Sequence, residues 1–235
     1  MVVSIILLVL GAIMSTVFIV SKVTNYTLKT IIFKTVASAF FVALAIYLSV
    51  TVEGHVPFKV LVTLGLFFGF LGDFLLGFKY ITHGKAKKIW ILLGMFAFAA
   101  GHIIYIVALF VEYYIPGQWW FIVLPLSLAM ILSAIYLIIS PKVGISFGKL
   151  FPFGLFYLAC LTTMFSTSIF MAIAHGFKIV NIVMFFIGAF FFVCSDTMLT
   201  GSYFKPGQRP KWYNGLYSVF YYLAQFIIAF ALFFL

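Results

Sequence analysis

Acidic side chains are nearly missing from this chain: its 235 residues hold four Asp and Glu against fourteen Lys and Arg. Charge of either sign is scarce, at 8% of residues, while 66% are hydrophobic, and that balance excludes an ordinary soluble domain. The positive excess would suit nucleic acid, but the basic residues sit in short stretches between apolar segments. No nucleic-acid partner is therefore expected, and these residues read as topology signals and lipid headgroup contacts. The two cysteines, Cys160 and Cys194, fall inside apolar segments and give no sign of a disulfide or a zinc site. No Gly-x-Ser-x-Gly elbow, Walker loop or dinucleotide fingerprint occurs, so a serine lipase, an ATPase and an NAD enzyme lose their sequence support. Internal repeats and low-complexity linkers are missing as well.

What is present is apolar sequence long enough to cross a bilayer repeatedly. A hydrocarbon core about 30 Å thick takes about 20 residues per helical crossing. The expected fold is all-α, a polytopic membrane helix bundle with about eight transmembrane helices forming a single transmembrane domain over 1–235. The spans are expected near Val2–Val20, Ile31–Val52, Val60–Phe78, Ile89–Phe110, Phe121–Ile139, Phe153–Ala174, Ile179–Thr200 and Gly215–Leu235. The first lacks the basic leader of a signal peptide and reads as a retained helix. Twelve of the fourteen basic residues lie in or beside the first, third, fifth and seventh loops. Those loops are expected to be cytoplasmic and both termini to lie on the opposite side.

Into this background the sequence inserts Asp73, in the middle of the third span. On a helix Gly65, Gly69, Asp73 and Gly77 share one face, a stripe of small residues that admits a neighbouring helix, so Asp73 should face protein. A carboxyl group at membrane depth is costly, and its default reading is functional rather than structural. The helical rise places Asp73 about 9 Å and Asp196 about 7 or 8 Å from the basic ends of their helices, at a shared level. Gln225 and His102 fall deeper on the same scale, at about 15 and 18 Å. Asn181, Gly188 and Ser195 recur every seven residues beside Asp196. Tyr217, Tyr221 and Gln225 are four apart, and Gly94, Ala97, Gly101 and Tyr105 make a small-residue face flanked by His102.

One cavity would then hold two carboxylates, which desolvation and mutual repulsion keep in different protonation states, an acid and a base together. The competing use is a metal site of Asp73, Asp196 and His102. It has no closely spaced ligand pair to support it, so no metal and no cofactor are expected. A blander reading applies to each group: His102 as an interhelical hydrogen-bond partner, Tyr221 and Gln225 as positioning groups, and Thr163, Ser166 and Thr167 as donors to their own backbone.

The stretches LGDFLLGF (71–78), FAAGHIIY (98–105), FFVCSDTMLT (191–200) and YYLAQFIIA (221–229), in this order and spacing, resemble the YhhN-type lysoplasmalogenase family of multi-pass membrane proteins. The likeness runs from about Lys34 to the C-terminus. It departs at the second span, where Lys34 stands in the place of a family Lys-Pro pair but is followed by Thr35. The resemblance implies hydrolysis of the vinyl ether bond of 1-alkenyl lysophospholipids, giving a fatty aldehyde and glycerophosphoethanolamine or glycerophosphocholine. Such an ether is cleaved by protonating its β-carbon, adding water to the oxocarbenium ion and collapsing the hemiacetal, which needs a proton donor and a water activator.

Asp73 and Asp196 are the expected pair, with the division of roles open. His102, Tyr105, Ser195, Tyr221 and Gln225 would orient them and the water, while Lys34 and Lys79 would meet the lipid phosphate. The expected partners are a lysophospholipid substrate and the surrounding membrane lipids; the oligomeric state is open. Two other functions fit the same polar groups. One is a proton-coupled transporter with the carboxylates as a relay, although no inverted repeat with broken spans is visible; the other is a non-catalytic lipid-binding membrane protein.

Overall fold

A computed structural model describes residues 1–24, 26–207 and 209–235. Among them there is no strand, and eight helices are long and apolar enough to cross a membrane. They are α1 (Val2–Thr24), α2 (Leu28–Thr51), α3 (Val56–Gly77), α4 (Gly84–Tyr113), α5 (Trp120–Lys142), α6 (Phe151–Ala174), α7 (Val180–Phe204) and α8 (Lys211–Ala231). Short 3-10 turns at Phe78–Tyr80, Gly148–Leu150 and Leu232–Phe234 extend α3, precede α6 and finish α8. The protein is thus an all-helical, multi-pass integral membrane protein.

Most helices run past the ends that hydropathy alone marks. Polar residues beyond the hydrocarbon do not stop a helix, because its backbone groups stay paired internally until a glycine or proline intervenes. Lys22 therefore belongs to the last turn of α1, Lys85, Lys87 and Lys88 to the first turns of α4, and Ser202 to Phe204 to the end of α7. Gly84, at φ +59, opens α4 in a conformation that residues with a Cβ rarely adopt, and Pro57 sits in the first turn of α3, where no backbone donor is lost.

Helices α1, α2, α3, α4, α6, α7 and α8 pack in that order, and α8 returns to α1, closing a ring. Helix α8 also reaches α2 and α3, and α5 packs chiefly on α6. Apolar side chains such as Ile5, Val9, Ile13, Ile122, Leu126 and Ile135 face outward, whereas Asp73, His102, Asn181, Ser195, Asp196 and Gln225 are buried. This inversion of the soluble pattern is what a hydrocarbon solvent selects.

Two backbones approach most closely where glycine removes the side chain. A Cβ at Gly101 of α4 would stand 3.0 Å from the carbonyl oxygen of Gly65 on α3, and one at Gly188 of α7 would stand 3.1 Å from that of Ala224 on α8. The Gly65, Gly69 and Gly77 stripe works differently from a plain helix contact. It receives side chains from three helices: the Tyr105 ring over Gly65, the Gln225 amide over Gly69 and Ile31 over Gly77.

Candidate functional site

A cavity lies toward the end of the bundle that carries the basic loops. It occupies about 1060 Å³, its open mouth included. Each of the eight helices supplies part of the wall: Lys22 from α1, Lys34 from α2, Asp73 from α3, Phe98 from α4, Tyr136 from α5, Tyr157 from α6, Asp196 from α7 and Tyr221 from α8. Apolar side chains, among them Phe18, Leu76, Met95, Leu158, Leu161 and Leu199, make up much of the rest. Asp73 and Asp196 therefore face one shared void from opposite arcs of the ring.

Their surroundings differ. Asp73 is 2% exposed and uses both oxygens: Oδ1 is 2.8 Å from the Lys34 ammonium, while Oδ2 accepts hydrogen bonds from Ser38 at 2.5 Å and Tyr221 at 2.6 Å. Lys34 and Ser38 stand four apart on α2 and so present one face to α3. Tyr221 in turn accepts a bond from the Gln225 amide at 2.9 Å, one turn along α8. That amide fits because position 69 has no Cβ; one would come within 2.5 Å of the Gln225 Nε2. A cation and two hydroxyl donors on one carboxylate is the environment of an ionised group.

Asp196 has a sparser set of partners. Its Oδ2 accepts a bond from the Tyr157 hydroxyl, and no ammonium pairs with it among the described residues. The Tyr157 oxygen lies 3.2 Å from His102 Nε2, so Asp196, Tyr157 and His102 form a connected series from α7 through α6 to α4. The other ring nitrogen of His102 is buried without a partner among the described residues.

The remaining candidates divide between the wall and its supports. Ser195 lines the cavity next to Asp196. His102 and Gln225 lie behind the wall and act through Tyr157 and Tyr221. Tyr105 corrects the expectation that it orients the carboxylates or the water. Its ring packs against Phe185 and over Gly65, and its buried hydroxyl bonds neither Asp73 nor Asp196. Tyr105 lies about one turn further along α4 than His102, away from the cavity-lining Met95 and Phe98, and there it meets α3 and α7.

Lys34, expected at a lipid phosphate, is committed to Asp73 instead. Lys79 does not stand in the open loop but is 3% exposed, with its ammonium over the rings of Tyr203 and Tyr80. No three His, Cys, Asp or Glu side chains gather as a metal site among the described residues.

Two wall residues, Tyr157 and Lys22, and the Asp73 partner Ser38 were not singled out from the sequence. Ser38 carried a signal, the four-residue spacing from Lys34. Tyr157 and Lys22 carried none, since a tyrosine near a helix end reads as interfacial belt and a lysine beyond the apolar run reads as loop.

An integral membrane protein with two carboxylates on the wall of an intramembrane cavity is the class that this arrangement defines. The YhhN family profile matches residues 29–232, and the chain belongs to that family. Helix α1 lies before the matched segment. Neither the curated proteins nor the solved structures yielded a match to this chain.

Proposed function

We propose that the protein is a lysoplasmalogenase, hydrolysing the vinyl ether bond of 1-alkenyl lysophospholipids. Family membership supports the activity class, and the unequal partner sets of the two carboxylates carry the mechanism. Asp196 is the proton donor. It delivers its proton to the β-carbon of the alkenyl chain, and the electron pair of the double bond forms the new C–H bond. The resulting oxocarbenium ion is stabilised by the negative charge of Asp73, which Lys34, Ser38 and Tyr221 hold in place.

Three of the roughly four lone-pair positions of Asp73 are taken, which leaves one for a water molecule. Water adds to the cation and gives its proton to the Asp196 carboxylate, which restores the donor; the hemiacetal then collapses, its hydroxyl proton passing to the leaving oxygen, to an aldehyde and the glycerophosphodiester. Tyr157 positions the donor carboxyl, and His102 in turn positions Tyr157.

The basic end of the bundle faces the cytoplasm in this reading, since basic loops are retained there. A single-chain lipid enters from that leaflet with its phosphate near the mouth and its ether bond at the level of the carboxylates.

Incubation of the purified protein in deuterium oxide with 1-alkenyl and 1-acyl lysolipids tests the reading. The expected result is cleavage of the alkenyl lipid alone, with one deuterium on the carbon next to the aldehyde. An unlabelled aldehyde would rule out carbon protonation, and no aldehyde would rule out the hydrolase.

A further inference from the structure

The two arcs of the cavity wall differ in chemistry. Helices α1, α2, α3 and α8 bring Lys22, Lys34, Asp73, Ser218 and Tyr221, whereas α4 and α6 bring Met95, Phe98, Leu158 and Leu161, with Tyr157 reaching across to Asp196. Hydrocarbon bound in this void belongs on the α4 and α6 side, where it covers apolar surface. Phe147, from the loop between α5 and α6, completes that side. Its half-buried ring is 4.7 Å from the ring of Phe204 at the end of α7 and rests on Gly154 of α6, where a Cβ would come within 2.9 Å of it.

The same ring lines a second hollow. That hollow occupies about 950 Å³, its open side included, and lies within the α5–α6 hairpin, among Leu137, Ser140, Ile145 and Phe151. One side chain therefore stands between two voids. Little else holds its loop: among the described residues one backbone hydrogen bond ties it outside the hairpin, from the Ser146 amide to the Phe204 carbonyl at 2.9 Å. Gly144 and Gly148, at φ +81 and +51, bracket the segment. Beyond the hairpin lies lipid, because α5 packs chiefly on α6 and Ile135, Ile138, Ile139, Phe151 and Leu155 are exposed.

We propose that Phe147 is the gate through which the chain of a single-chain lipid passes between the bilayer and the cavity. The lysophospholipid as the lipid rests on the hydrolase reading above; the gate rests on the two voids that share one ring. A ring with space on both sides changes rotamer without displacing packed neighbours or breaking the Ser146 bond. Swung toward Leu137 and Ile145, it opens a side path that keeps the hydrocarbon out of water from the leaflet to Asp196.

The test measures association and dissociation rates of an uncleavable ligand, radiolabelled 1-hexadecyl-glycerophosphocholine, on the full chain in lipid nanodiscs, with empty nanodiscs subtracted. Short-chain, water-soluble 1-butyl-glycerophosphocholine is the control that reaches the cavity by its basic mouth. Phe147→Ala is expected to speed both rates of the long-chain ligand by about tenfold, with Kd little changed, since a gate alters passage in both directions alike. Phe147→Trp should slow both, and it carries the test alone should the alanine chain not fold. Neither variant should alter the short-chain ligand. Unchanged rates would overturn the gate, as would a change in dissociation alone, the mark of a plain wall contact, or an equal acceleration of the short-chain ligand. Gated binding without cleavage of an alkenyl lipid would leave the gate standing and remove the hydrolase; cleavage with rates untouched by either variant would do the reverse.

Discussion

Asp73 and Asp196 share a cavity and little else. The α3 carboxylate is anchored at both oxygens by a cation and two hydroxyls drawn from α2 and α8. The α7 carboxylate has no paired cation among the described residues and accepts a bond from a tyrosine of α6 that leads on to a histidine of α4. Identical side chains in one void thus acquire different chemistry from their neighbours. A carboxylate with a paired lysine holds charge; one without a paired cation is free to exchange a proton.

The sharpest way to break this contrast is to neutralise each acid in turn. Asp196→Asn removes the donor and should lower aldehyde release by about 10²- to 10⁴-fold, the usual share of general acid catalysis, with no loss of folding stability. Asp73→Asn should abolish turnover as well, but it also strands Lys34, so detergent-based unfolding should register a loss of about 3 kcal/mol that Asp196→Asn does not show. Equal stability of the two variants would erase the distinction.

Lys34→Met tests the same pair from the other side. It leaves Asp73 buried without its cation and should cost about 3 kcal/mol alone, while the double variant Lys34→Met, Asp73→Leu should recover most of that loss without recovering activity. Additive losses in the cycle would show that the 2.8 Å contact carries no coupling.

Smaller effects are expected one shell out. Tyr221→Phe deletes a donor to an ionised oxygen, and Tyr157→Phe deletes the partner of the other acid. Turnover should fall about tenfold or more in each, the loss of a hydrogen bond to a charged or proton-bearing group. Only Tyr221→Phe should also lower stability. Smallest of all is Gly69→Ala. The new methyl group displaces the Gln225 amide, the end of a flexible side chain, at a cost of about 1 kcal/mol, and turnover should drop only a few-fold. A large loss in this variant would mean that Gln225 does more than steady Tyr221.

The stripe of Gly65, Gly69 and Gly77 shows how far spacing carries. Its period was visible along the chain and correctly implied close approach. That the approaching groups are Tyr105, Gln225 and Ile31, from three helices, was not visible. Ser38 was within reach of the same reasoning, one turn beyond Lys34. Tyr157 was not, because no periodic pattern separates a tyrosine that bonds Asp196 from the many that sit at a membrane surface. Tyr105 went wrong for a related reason. Membership of a motif with His102 says nothing about which of two neighbouring helices a side chain three positions further on will meet.

Hydropathy and helical rise are local quantities, accumulated residue by residue, and so the sequence alone determined the eight spans and the inward-facing acid on α3. The pairing of Asp73 with Lys34 and Tyr221, of Asp196 with Tyr157, and the entry of Lys22 into the cavity wall were decided by tertiary structure. They depend on how each helix is rotated about its own axis against neighbours as much as 196 positions away, and that rotation is set by packing between helices, not by any one of them.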